Sequence, residues 1–188
     1  MAKKDLEAKK ELFAKIIEGN VVKDSERVAV LLRGNILGFP ATLEATEPGF
    51  PFGCNFFVQT DVLKEHTDQD PTYTITITPK FAKGLTSILG RLLMIDAHER
   101  PTGSGVFDGE LLAHATDNDI CQRLIHYPGM AEKLRHLHQF TNFRELHVQG
   151  KQGISMVCPT SFNQLTYDVA REAFIVMGDM AQTLFEAF

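Results

Sequence analysis

Asp96-Ala-His98-Glu99 is the densest grouping of potential ligands and proton carriers in the chain. On a strand, Asp96 and His98 project from one face, and a carboxylate beside an imidazole fixes its tautomer. A general base or half of a metal site would use that pair, completed by ligands from neighbouring strands. His114 is the obvious third ligand. A hairpin turning near residue 103, however, sets His98 opposite Asp108, which reads as a cross-strand surface pair. The spacing therefore assigns no catalytic residue, no cofactor-binding residue and no metal ligand, and no cofactor is expected.

The remaining candidates are weaker. Gly103-Ser-Gly105 has the look of a phosphate cradle but lacks the P-loop spacing and its Lys, and the pattern leads into a strand rather than a helix. His136 and His138 are two apart on an expected helix and diverge. They and His126 suit helix C-termini; His147 falls in a hairpin and His66 in an acidic loop. Arg123, Lys133 and Arg135, with His126, His136 and His138, are the nearest approach to a nucleic-acid surface, but Glu132 interrupts them and no Gly-rich loop accompanies them. Phe50, Phe52 and Phe56 alternate to one side of a strand and Phe57 to the other, which suggests core packing with a surplus for an oligomer interface or an apolar pocket.

The elements that must position these residues come from a chain of 188 residues with 44% apolar and 23% charged content, ample for a hydrophobic core. The formal charge of −5 excludes a generally basic nucleic-acid binder. Cys54, Cys121 and Cys158 cannot all pair within one chain and form no CxxC, which points to reducing cytoplasm. The charged N-terminus carries no signal core, and the greasy stretch from Leu85 to Ala97 is interrupted by Gly90 and Arg91, too short to span a bilayer.

Residues 3–18 read as a helix with a stripe of Leu6, Phe13 and Ile17, widened by Leu12 and Ile16 and stopped by Gly19-Asn20. Five lysines among four acids on it look like a solvated face. Extended runs at 26–32 and 35–44 flank a turn expected at Arg33-Gly34-Asn35. Cys54–Thr60 follows as a strand. Tyr73-Thr-Ile-Thr-Ile-Thr78 alternates cleanly, with Tyr73, Ile75 and Ile77 on one side. Residues 91–98 and 107–115 are expected as strands and 117–126 and 129–138 as helices, with Thr116 and Asp119 spaced as a capping box. Residues 144–149 and 153–158 form a hairpin. A final amphipathic helix over 160–186 is capped by Thr160 or Ser161, with Gly178 a close-packing position. The sum is an α+β fold over 1–188 as one domain: a largely antiparallel sheet packed against N- and C-terminal helices, with a short two-helix insertion.

The order Thr102-Gly-Ser-Gly-Val-Phe-Asp108, a strand, the Asp117-Asn-Asp119 helix start, Leu124-Ile125, the Met130–Leu137 helix, the 144–158 hairpin and a long terminal helix resembles soluble domains of an uncharacterised bacterial family, often found beside membrane-spanning segments. The resemblance covers residues 102–188. It implies an α+β fold, Phe107 packed inward and Asp108 holding the entry turn, and it carries no catalytic residues.

The function expected from all this is a non-catalytic cytoplasmic domain that binds a protein partner or a small apolar ligand, or a second copy of itself. The alternatives are a metal-assisted hydrolase on Asp96 and His98, and a peripheral membrane module using the first helix.

Overall fold

The computed structural model describes residues 3–22, 29–45, 53–60, 73–80, 102–150 and 152–187. Eight strands form one sheet: β1 (Asn20–Val21), β2 (Val30–Ile36), β3 (Phe39–Ala45), β4 (Cys54–Val58), β5 (Thr74–Pro79), β6 (Leu111–Ala115), β7 (Glu145–Gln149) and β8 (Gly153–Cys158). Their order is β1-β2-β3-β4-β8-β7-β5-β6, and every neighbouring pair is antiparallel. The helices are α1 (Lys3–Ala14), α2 (Gly105–Glu110), α3 (Asn118–His126), α4 (Met130–Thr141) and α5 (Tyr167–Ala187). The α+β architecture, with a sheet packed against terminal helices and a helical insertion, is as the sequence predicts.

Alternation along each strand gives the sheet two unlike faces. Leu32, Leu43, Phe56, Met156, Leu146 and Ile77 follow one another in register across six strands, and all are fully buried. α5 lies on this face against β2, β3, β4 and β8, and Phe174 meets Phe56 edge to face at 5.1 Å. α1 brings Phe13 against Phe162 and Tyr167, at 5.2 and 6.0 Å, so the two chain ends are packed together. Phe107, Leu124, Ile125, Leu134 and Leu137 of the insertion join the same core.

Four local expectations need correction. The β2–β3 turn is not at Arg33-Gly34-Asn35, which runs on as strand, but at Leu37-Gly38, where both φ angles are positive (50° and 85°), as a two-residue type I′ hairpin requires. Gly34 serves close approach instead: a Cβ there would overlap the Ile17 carbonyl oxygen, and one at Gly19 would overlap that of Arg33. Residues 105–110 are helical, not the start of a strand, because the Ser104 hydroxyl accepts from Phe107 N and caps the turn. The cap of α3 is Asp117, whose carboxylate accepts from Asp119 N and Ile120 N; Thr116 instead accepts from Thr74 N across the sheet, at 2.9 Å. The last helix begins at Tyr167, not residue 160. Ser161–Leu165 form a tight turn, Ser161 bonds Gln164, and Thr166 caps Val169 N. Gly178 is a packing position as expected: a Cβ on it would lie 3.2 Å from Leu37 and 3.3 Å from Ile36.

Candidate functional site

The second face of the sheet carries most of the polar strand side chains. Ladder registers place Arg33, Thr42, Phe57, Ser155, His147, Thr76 and His114 in one transverse row from β2 to β6. Six strand spacings make this row about 29 Å long. A parallel row holds Leu31, Glu44, Asn55, Val157 and Glu145. The described helices place their buried residues in the core on the other side of the sheet. Most side chains of the two rows are half-buried, and Arg33 is exposed.

At the centre of the row the hydrogen bonds form a chain. His147 Nε2 lies 3.3 Å from Glu145 Oε2, and its Nδ1 lies 3.1 Å from Thr76 Oγ1. A carboxylate only accepts, so Nε2 carries the proton and Nδ1 of the neutral ring accepts from the Thr76 hydroxyl. Glu145 and His147 share a face because they are two apart on β7. On the far side of Thr76, His114 Nδ1 is buried and has no hydrogen-bond partner among the described residues. One intervening strand holds the two imidazoles about 10 Å apart.

Carboxylate, imidazole and hydroxyl in series is the order of a nucleophilic relay, but the surroundings do not complete one. Thr76 lies mid-strand between two hydrogen-bonded neighbours, so nearby backbone N–H groups are committed to the ladders and no oxyanion hole is formed there. Its β-branched hydroxyl is also crowded. The arrangement can instead offer donors and acceptors in a fixed plane, with Phe57 as a flat apolar patch and Arg33 as a cation at one end.

Other sequence candidates land elsewhere. Asp96, His98, Glu99, His66, Phe50 and Phe52 lie outside the described residues. Asp108 is on α2 and not on a strand opposite His98. Its Oδ1 accepts from Thr102 N and Oγ1, at 3.0 and 2.8 Å, and its Oδ2 accepts from Gly103 N at 2.9 Å. Burial acts to raise the Asp108 pKa, but these bonds and the Lys80 charge outweigh it and hold the carboxyl below its ordinary range. The Thr102 and Gly103 amides thus already serve an internal anion, and the Ser104 amide donates to Thr102 Oγ1, which argues against a phosphate cradle here. Phe107 is fully buried.

His126 donates to the Thr102 carbonyl at 2.8 Å. His136 donates to Glu172 at 3.0 Å, and Lys133 pairs with Asp179 at 2.8 Å, so three members of the basic cluster are held by partners on α5 and the 102–104 loop, while Arg135 Nε and His138 Nδ1 are buried without a hydrogen-bond partner among the described residues. His138 packs against Phe143 at 5.2 Å, and burial lowers its pKa against the opposing pull of Glu110. On α1, Lys9 is turned onto the Phe13 and Phe162 rings and bonds the Asn163 carbonyl, and Lys10 pairs with Glu7; Phe13 is buried, as are Ile16 and Ile17 on the 3-10 turn Lys15–Ile17 that follows, whereas Leu12, expected to widen the stripe, is exposed. All three cysteines are free and buried, and burial pushes Cys54 and Cys158 up to about 12 and Cys121 to about 11. They are not standing nucleophiles at neutral pH.

Among the described residues, no group of three or more His, Cys, Asp or Glu side chains is placed to hold a metal ion. No described helix is long and apolar enough to cross a membrane. Sequence reasoning missed Thr76, Ser155 and Glu145 as neighbours of His147. The Thr74/Thr76/Thr78 alternation was the signal that one strand face is polar; which strands flank it is not written in local spacing. Comparison with protein families, curated proteins and solved structures yields no match, so the likeness of residues 102–188 to a bacterial family gains no support from them.

Proposed function

We propose that this protein is a non-catalytic binding domain whose ligand lies on the sheet face opposite the described helices, centred on His114, Thr76 and His147. The observation that carries the reading is the transverse row itself: seven residues in register, six of them with polar side chains, ending at an imidazole nitrogen that is buried and unpartnered among the described residues. Buried polar atoms are ordinarily satisfied, so a partner supplied from outside the described residues is the economical account of His114 Nδ1. The row favours a small polar ligand with several hydrogen-bonding groups and a flat apolar part that rests on Phe57, over the apolar ligand expected from the aromatic residues alone. Free, buried cysteines support a reducing, cytoplasmic setting.

Ligand-observed NMR with a library of small polar aromatic compounds tests this. Binders should appear with the wild-type protein and weaken at least tenfold with Thr76→Val and with His147→Ala. Equal binding by both variants, or hits that compete at no residue of the row, would overturn the reading.

A further inference from the structure

Cys54 opens β4 and Cys158 closes β8, and the two are direct partners in the ladder. Cross-strand neighbours have Cα atoms about 4.5–5.5 Å apart, inside the window that a disulfide spans. Both thiols are fully buried and free, and Cys158 acts electrostatically on Cys54. Ordinary cross-strand Cβ separations exceed those of a relaxed disulfide by roughly 1 Å, so a bond here would be strained and correspondingly easy to reduce. The pair also sits where it has leverage. β4–β8 is the ladder that joins the β1–β4 meander to the β8-β7-β5-β6 half of the described sheet.

We infer that Cys54 and Cys158 are a reversible redox pair, closed to a cross-strand disulfide by hydrogen peroxide and reopened by small thiols. Exchanging the two sulfurs leaves the balance of the step unchanged; here Cys54 is the attacking sulfur. Its thiolate attacks the proximal peroxide oxygen, the O–O bond breaks, and the leaving oxygen departs as water with the thiol proton. Cys158 sulfur then attacks Cys54 Sγ of the sulfenic acid. The S–S bond forms, the S–O bond breaks, and the hydroxyl leaves with the Cys158 proton as a second water. Two thiols and one peroxide thus give one disulfide and two waters. The buried thiols make the first step slow, which confines it to oxidising conditions and to fraying of the strand ends, where Gly53 precedes Cys54. Cys121, on α3, has no such partner in the sheet and stays a thiol.

The test is native oxidation of the full chain with hydrogen peroxide, followed by alkylation, unfolding and peptide mapping. The expected product is a Cys54–Cys158 linked peptide with Cys121 alkylated, together with a rise in Tm of roughly 5–10 °C that dithiothreitol reverses. Cys121→Ser should keep both effects and Cys158→Ser should abolish both. Recovery of Cys54 and Cys158 as separate alkylated or over-oxidised peptides, or a link formed only in denaturant, would overturn the inference.

Discussion

Thr76 Oγ1 and His147 Nδ1 lie 3.1 Å apart although 71 residues separate them in the chain. The β5–β7 ladder makes the contact, and Glu145 on the same strand completes a carboxylate–imidazole–hydroxyl series. The same three groups on a strained turn beside free amides would suggest acyl transfer. In the middle of a hydrogen-bonded sheet they lie in a plane of donors and acceptors, which is what the proposed binding role uses.

Removing the hydroxyl separates recognition from folding. Thr76→Val keeps the shape and the strand preference of the residue, and it deletes one half-buried hydrogen bond. We expect a stability loss of about 1 kcal/mol in urea denaturation. A loss above about 3 kcal/mol would mean that the series is part of the structural core rather than a ligand surface.

The polar row was half legible in advance. Alternation in Tyr73–Thr78 placed three threonines on one face, and the 144–158 hairpin was visible from its turn residues. The pairings β4 with β8 and β5 with β7 were not, because they join segments that lie far apart in the chain and depend on burying Phe56, Met156, Leu146 and Ile77 together. Residues 105–110 misled for a different reason. Gly105 and Gly109 argue against helix, and the deciding signals were side-chain bonds: Ser104 to Phe107 N, and Asp108 back to Thr102 and Gly103. The turn at Leu37-Gly38 was hidden behind Gly34, a glycine whose role is close contact with the end of the first helix.

That contact predicts an asymmetry between glycines. Gly34→Ala drives a methyl group into the Ile17 carbonyl and the Gly19 backbone, neither of which is a flexible side-chain end. It should cost about 3 kcal/mol or more. Gly178→Ala meets only the ends of Leu37 and Ile36, at 3.2 and 3.3 Å, and gains about 1 kcal/mol in helix propensity. Its midpoint should stay within about 1 kcal/mol of wild type. Urea midpoints of the two variants check the pair together.

Two groups should shape the acid side of the stability curve in separate windows. Burial lowers the His138 pKa against the pull of Glu110, so the unfolded chain binds its proton first. Stability from this group is present above the unfolded histidine value of about 6.5 and is lost as pH falls through the lower folded value. His138→Phe should flatten the curve in that window.

Asp108 acts lower. Its folded pKa is depressed, so its contribution is present above about pH 4 and disappears as pH falls through the folded value. Because Asp108 is only half-buried, the effect after screening is on the order of 1 kcal/mol. Asp108→Asn should be less stable than wild type at pH 7 and converge with it as pH falls below the depressed folded value, measured by urea denaturation at each pH.

The most direct measurement is amide chemical-shift mapping of one confirmed small polar binder onto the assigned wild-type protein. We expect the shifts to centre on His114, Thr76, His147 and Ser155 and to fade toward the α4–α5 surface. Shifts centred on the helices, with the row unmoved, would contradict the assignment of the polar sheet face as the binding surface.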